Sequence, residues 1–331
     1  MLKFSIFILI PLNYNYFERI EMSKKVIIIG SGIAGISSSL KLKSYGINST
    51  IVDKGNFIGG RISTRELKSD SSSSFFFHGA QFFTAKTNKF KEIIETGIRQ
   101  RYLKEFGNSC PKRYRGNKTM RDFLLNLSKE LHIQQKVKVT EVKPTNNRIY
   151  ITKDKIKELV SYDGVISTVP APQNYELLNH FPLLQKTLKT GSYHACIALM
   201  FTFDKIPFDL KTYYDLNKQP GILSWMASGS SQNVWTAHTN ERFSDLNYNK
   251  DKDFLKKEIM SSIEQFFYRS KIKFHSLHIW RYAKVARKCL GPQIDPKYPV
   301  AIAGDFLEGP NVEAAFISGD KAADLIFDRL K

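Results

Sequence analysis

Cysteine is scarce in this chain: Cys110, Cys196 and Cys289 stand far apart, and none belongs to a C-x-x-C. No zinc site, iron–sulfur cluster or disulfide framework can be built on them, and such sparse use fits a reducing compartment. The seven histidines, His78, His132, His180, His194, His238, His275 and His278, lack metal-ligand spacing. His275 and His278 stand three apart in an apparent strand, which predicts opposite faces and no shared ligand. Gly-x-Ser-x-Gly is absent, so no hydrolase nucleophile elbow is available. No apolar run reaches the ~18 residues of a membrane helix. Met1 to Ile10 is a short apolar segment, but Pro11, Asn13, Tyr14 and Glu18 follow without a small-x-small cleavage site, which argues against a signal peptide. Residues 1–22 are expected to be an N-terminal extension, disordered or not translated, and the protein is expected to be cytoplasmic. Internal repeats are also missing.

Acidic residues are the minority charge, 31 against 50 basic, for a formal charge of +19. Such an excess can serve nucleic acid, a membrane surface or an anionic small substrate. The lysines are spread along the chain, as in Lys250 to Lys257 and Lys153 to Lys157, without a helix-turn-helix, a zinc finger or an aromatic-interleaved basic stripe. A lysine-rich surface is the simpler reading, and its field still suits a phosphate-bearing substrate.

What the chain does carry is a glycine loop in the right setting. Val26-Ile27-Ile28-Ile29 runs into Gly30-Ser31-Gly32-Ile33-Ala34-Gly35, and the helix-compatible stretch from Ile36 to Tyr45 follows. A near-continuous branched apolar run suits a parallel strand buried on both faces. The glycines give a tight turn, room for a diphosphate against the backbone and close helix–strand packing. A diphosphate would then sit on free N–H groups at the helix start, where the dipole favours negative charge. A second strand, Ser49 to Asp53, ends in a carboxylate 18 residues beyond Gly35, the acid expected on a ribose hydroxyl. Gly59-Gly60-Arg61 follows shortly after.

The remaining chain divides by pattern. Ser69 to Ser74 reads as a polar hairpin tip. Phe75 to Thr84 places five aromatics around His78, Gly79 and Gln81. Helical spacing predicts helices over Thr87 to Gln100, Arg121 to His132, Pro172 to Leu178, Asp253 to Tyr268 and Val312 to Leu330. Strands are predicted over Lys136 to Val142, Arg148 to Thr152, Tyr162 to Val169, Tyr193 to Phe203, Gly221 to Ala227, Val234 to His238, Phe274 to Tyr282 and Val300 to Asp305. The predicted fold class is α/β: a Rossmann-type dinucleotide-binding domain (FAD-binding, on the resemblance given next) with an inserted antiparallel-sheet substrate domain. The expected boundaries are residues 23–74, 120–170 and 285–331 for the first, and 75–119 and 171–284 for the second.

The set Gly30-x-Gly32-x-x-Gly35, Asp53, Gly59-Gly60-Arg61 and Ala303-Gly304-Asp305 before a long helix resembles FAD-dependent oxidoreductases of the amine-oxidase superfamily. More narrowly, His78-Gly79-Ala80-Gln81-Phe82-Phe83-Thr84, Trp280-Arg281-Tyr282-Ala283 and Gly304-Asp305-Phe306-x-x-Gly309-Pro310-x-Val312-Glu313-x-Ala315 are similar to renalase and its bacterial relatives. The resemblance runs from Ser23 to the C-terminus. It implies non-covalent FAD. Gly30, Ser31, Gly32, Ile33, Ala34 and Gly35 would line the diphosphate, with Asp53 and Lys54 at the adenosine ribose. Gly60 and Arg61 would lie by the phosphates, Val139 near the adenine, and Gly304 and Asp305 at the ribityl chain. Val312, Glu313 and Ala314 would bring the last helix to the isoalloxazine.

The same resemblance implies oxidation of dihydronicotinamide isomers, with O2 as acceptor and H2O2 as product. A dihydropyridine gains aromaticity when it gives up hydride, so no general base is obligatory and no catalytic pair is named. His78, Gln81, Trp280, Arg281 and Tyr282 are the candidates for lining the pocket. Trp280 and Tyr282 are expected on one strand face with Arg281 on the other. Lys284 is a weaker candidate, as a lysine that could hold a water. No metal and no membrane partner are expected. Amine or carotenoid/porphyrin-type oxidation within the superfamily is the alternative, and a DNA-associated flavoprotein, motivated by charge alone, is the remote one. The ribose acid is Asp53 where many flavoproteins carry glutamate.

Overall fold

A computed structural model describes residues 24–68, 73–145, 148–153 and 156–331. The expected N-terminal extension and residues 69–72 of the serine tract lie outside them.

Val26–Ile29, buried at every position, forms the centre of a five-stranded parallel sheet. Ser49–Asp53 pairs on one side and Gly164–Ser167 on the other, while His132–Gln135 and Val300–Ile302 take the two edges. The chain moves first to one side of the central strand and later returns on the other. The order therefore reverses at the carboxyl end of Val26–Ile29, where open parallel sheets leave a ligand crevice.

Two helices from opposite ends of the chain close over this sheet. Ile33–Ser44 and Val312–Leu330 pack through small residues: a Cβ on Gly319 would stand 2.2 Å from the Ala34 carbonyl oxygen. Ser37 Oγ lies 2.8 Å from the Phe316 carbonyl and Ser38 Oγ 2.9 Å from that of Gly319. Ile28, Ile33, Ile36, Ala315 and Ala322 share one core with Phe90, Ile94 and Phe123. On the opposite face, Ile27, Ile29, Val165 and Ile302 meet Val142, Ile149 and Ile151 from a three-stranded antiparallel layer, Val139–Thr145, Arg148–Lys153 and Ile156–Tyr162.

A second sheet, five-stranded and antiparallel, runs in the order Tyr213–Asp215, Leu223–Ser228, Val234–Thr239, Ser192–Phe203, Ile272–Arg287. The helix Lys252–Phe266 covers it with Leu255, Ile259 and Ile263. The mixed α/β architecture expected from the sequence is therefore present. The discontinuous domain boundaries remain a proposal. Packing favours placing Asn88–Arg99 and Pro182–Lys189 with the parallel sheet, because Phe90 and Leu184 belong to its two cores.

Several elements differ from expectation. The helix predicted over Arg121 to His132 spans only Asp122–Leu127, and His132–Gln135 is instead an edge strand. That strand is half-buried and polar (His132, Gln134, Gln135), so no apolar alternation announces it. Ile156–Tyr162, Tyr213–Asp215 and the helices Pro182–Lys189 and Glu241–Asn247 were not anticipated. His275 and His278 do not lie on opposite faces. The register slips between Met200 and Phe201, so the intervening residue bulges and the parity resets. His275 accordingly meets Phe76, and His278 meets His78.

Candidate functional site

The glycine turn follows the central strand directly, with Gly30 at φ +110°, a region costly for any side chain. Gly35 is needed for closeness, since a Cβ there would come 2.0 Å from the Gly30 carbonyl oxygen. Gly32 is different. A Cβ at Gly32 would meet nothing within 4 Å, and the same construction at Gly60 approaches only the Gly32 Cα, at 3.6 Å. The space beside Gly32 is therefore open, while the two loops themselves touch, Gly59 N–H donating to the Ser31 carbonyl at 3.1 Å. The helix that begins there has Gly32 as its N-cap, no side-chain cap and no acidic residue in its first turn. Thr87 and Asn311 cap the helices they precede. The uncapped N–H groups of Ile33–Ser44 can thus donate to an outside anion.

Asp53 is oriented by three donors: Ser31 N–H and Ser31 Oγ, each 2.7 Å from Oδ2, and Gly55 N–H, 2.7 Å from Oδ1. Lys54 is exposed. The backbone that reaches this turn is that of Val137, whose N–H donates to the Asp53 carbonyl at 2.9 Å. Val139 lies two residues further on, partly buried at the rim of the lower core.

Arg61 and Asp305, 244 positions apart, meet as a bidentate pair. Nη1 donates to Oδ2 at 2.8 Å and Nη2 to Oδ1 at 2.5 Å, and Nη1 also reaches the Ala283 carbonyl at 3.2 Å. The Arg61 fork is therefore turned toward Asp305 and the second sheet. Asp305 is buried and begins the short helix Asp305–Glu308 behind Gly304, whose N–H donates to Ser318 Oγ on the last helix. The Glu313 carboxylate accepts from Lys86 N–H, Thr87 N–H and Thr87 Oγ1, so it ties the last helix to the loop before Asn88–Arg99.

The His78–Thr84 segment lies between the glycine loops and the antiparallel sheet. Ala80 N–H donates to the Arg61 carbonyl at 2.8 Å, and Gly79 passes so close that a Cβ would stand 2.0 Å from that oxygen. On its other side the His78 carbonyl accepts from Trp280 Nε1 at 2.7 Å, and His238 Nε2 lies 3.2 Å away. The His78 ring stands 5.0 Å from that of His278 and 5.6 Å from that of Trp280. Gln81 Nε2 is 3.3 Å from His238 Nε2, while Gln81 Oε1, His78 Nδ1 and Thr236 Oγ1 are buried without partners. Burial, helped by His278, Arg65, His238 and Arg121, drives His78 down to about 3. Burial likewise drives His238 down to about 4.

Of the residues singled out in the sequence, Gly30–Gly35, Asp53, Gly60, Arg61, Asp305, His78, Gln81 and Trp280 thus fall along one run of contacts. Arg281 and Tyr282 do not join Trp280. A bulge between Cys196 and His194 breaks the alternation, and both residues border a cleft with Tyr193, Asp245 and Tyr248, next to Arg61, whose Nη1 donates to the Tyr282 carbonyl at 3.4 Å. The expectation of two aromatics on one face and the cation on the other is corrected accordingly. Lys284 is engaged with Glu241 at 2.6 Å on the surface. Thr236, His238 and His278 were not foreseen as neighbours of Gln81 and His78, because their convergence depends on which strands pair. No group of three or more His, Cys, Asp or Glu that could hold a metal ion occurs among the described residues. Among them, too, no helix is long and apolar enough to cross a membrane.

A family model for NAD(P)-binding Rossmann-like domains matches residues 28–96. The chain is 46% identical over 44 residues to 1-hydroxycarotenoid 3,4-desaturase of Flavobacterium sp. (strain P99-3), a match covering 13% of this chain and 9% of that relative. Among solved structures it is similar to a CLA-producing fatty acid isomerase from P. acnes, with TM-score 0.71, 11% identity and coverage of 93% of this chain and 99% of that one. It is also similar to a putrescine oxidase with redesigned cofactor binding, with TM-score 0.66, 11% identity and coverage of 92% and 99%. The chain has the fold of these two solved structures.

Proposed function

We propose that this chain is an oxidoreductase that binds FAD without a covalent link and takes hydride from a small reduced substrate, with dihydronicotinamide isomers as first choice. The observation that carries the reading is the open space beside Gly32 at an uncapped helix start, with Asp53 fixed by Ser31 on one side and the Arg61–Asp305 pair following Gly60 on the other. The first-turn N–H groups of Ile33, Ala34 and Gly35 would hold the diphosphate, and Asp53 the ribose. Asp305 would hold the ribityl chain, and Val139 would lie toward the adenine. The start of Val312–Leu330, with Glu313 fixing the neighbouring loop, would stand against the ring. When bound, FAD supplies the two-electron acceptor, and O2 would take those electrons on as H2O2.

The protein's own contribution is orientation and dryness. His78 and Gln81 present unpaired polar atoms inside a buried cluster, and Trp280 fixes the backbone that carries them. Both His78 and His238 are uncharged near neutrality, so no imidazolium is set against a hydride donor. A second reading, amine or carotenoid-type oxidation, is supported by the names of the putrescine oxidase and the carotenoid desaturase.

The deciding experiment is to load the purified protein with FAD, remove O2, and mix it separately with dihydronicotinamide isomers and with amines. Bleaching of the flavin band by the isomers within seconds is expected. Bleaching by amines alone would transfer the assignment to the second reading, and a protein unable to retain FAD would sink both.

A further inference from the structure

Arg113 and Arg115 stand on either side of Tyr114, at the start of the short strand Tyr114–Gly116. Two positions apart on a strand, their side chains leave one face about 7 Å from each other. That strand is bonded to the His78–Thr84 segment: Phe83 N–H donates to the Tyr114 carbonyl at 2.9 Å, and Tyr114 N–H donates back at 2.8 Å. The two arginines therefore lie next to the part of the chain that carries Gln81.

Both guanidinium groups are set among aromatic rings. Arg113 lies 4.6 Å from the Phe82 centroid and 4.9 Å from those of Tyr213 and Trp225. Arg115 lies 4.2 Å from that of Phe106. Ring faces favour the positive charge, but guanidinium donors point outward in the plane of the group and rings take none of them. Arg113 Nη1, Arg115 Nε and Trp225 Nε1 are all buried without an acceptor, and Trp225 is only 7% exposed. Asp215 stands 3.8 Å from Arg113, too far for a hydrogen bond. Arg115 gives Nη1 to the Ser228 carbonyl, and burial with no opposing carboxylate pushes it down to about 10. Buried donors are almost always paired, so three orphans on neighbouring side chains, two of them cationic, define the chemistry of a missing acceptor.

We propose that Arg113, Arg115 and Trp225 form an oxyanion subsite that takes the phosphoryl groups of an anionic substrate. That the ligand is the diphosphate of a dinucleotide rests on the function proposed above; the subsite itself does not.

The test is a titration of the FAD-loaded protein, its glycine loop already filled, with inorganic pyrophosphate at constant ionic strength, followed by tryptophan fluorescence and by thermal unfolding. Saturable binding is expected. Arg113→Gln and Arg115→Gln should each weaken it by about tenfold, the loss of one charge-assisted bond. Trp225→Phe should remove the fluorescence response, and Arg113→Lys, which keeps charge and packing, should bind more tightly than Arg113→Gln. A melting temperature like that of the parent shows that a variant is folded. Equal affinity in parent and glutamine variants, as a uniformly basic surface would give, overturns the proposal, and so does the absence of saturable binding. A dihydronicotinamide dinucleotide should displace the pyrophosphate. If it does not, while the variants still lose binding, the subsite stands as one for free phosphate and the dinucleotide substrate falls.

Discussion

Gly32 and Gly35 sit three residues apart in one motif, yet they should fail differently when substituted. At Gly35 the added carbon collides with the Gly30 carbonyl oxygen at 2.0 Å, so Gly35→Ala must distort the turn itself. Overpacking of that kind costs about 1–3 kcal/mol, read as a lower urea midpoint whether or not flavin is present. At Gly32 the carbon enters open space, and the backbone there is extended (φ −74°, ψ 178°), which any residue adopts. Gly32→Val should therefore fold in the absence of FAD, losing no more than the roughly 1 kcal/mol by which valine is the poorer N-cap, and should lose flavin retention, because the side chain fills the open space beside the helix start. Flavin absorbance after gel filtration and an unfolding curve on the same sample separate the two cases. Normal retention by Gly32→Val would move the diphosphate out of this loop.

At the scale of elements, the joint between Ile33–Ser44 and Val312–Leu330 decides whether the cradle keeps its shape. The glycine turn is anchored to the first helix and Asp305 to the short helix before the second, so the spacing of the two helices sets the width of the site. Gly319→Val would drive a branched side chain against the Ala34 carbonyl oxygen. Separation of the helices should lower stability by about 1–3 kcal/mol and weaken FAD binding together with it. A loss of stability with unchanged FAD affinity would show that the site does not depend on this joint. The cradle was legible in the sequence because strand, glycines and acid are local and carry spacing. The pairing of Arg61 with Asp305 was not, although both residues had been singled out, since the sequence says nothing of where two distant polar groups point. Strand parity misled in two places, around His275 and around Trp280 to Tyr282. In both, a bulge shifts which face a residue occupies without leaving any mark in composition.

For the molecule as a whole, the junction between the parallel-sheet half and the antiparallel sheet should respond to acid. His78 and His238 meet there, with His278 and Arg65 facing the same ring, and burial holds their folded values at about 3 and about 4. In the unfolded chain both rings titrate near pH 6.5. Since the folded values are depressed, the unfolded state binds the extra protons first. Stability from this junction is then complete above about pH 6.5 and is lost progressively as pH falls toward 4 for His238 and toward 3 for His78. Each histidine can remove at most about 1.4 kcal/mol per pH unit within its window. Carboxylates elsewhere add their own acid sensitivity, so the discriminating quantity is the slope between pH 7 and pH 5, above the range in which ordinary carboxylates protonate. Urea unfolding of the parent, of His78→Gln and of His238→Gln should show a steep fall for the parent and shallower falls for the variants. Trp280, which donates to the His78 carbonyl, should report loosening of the junction by fluorescence before the parallel sheet unfolds. Identical slopes in all three proteins would mean that these imidazoles are solvated in solution, and that the two halves meet less tightly than the hydrogen bonds on the His78 carbonyl require.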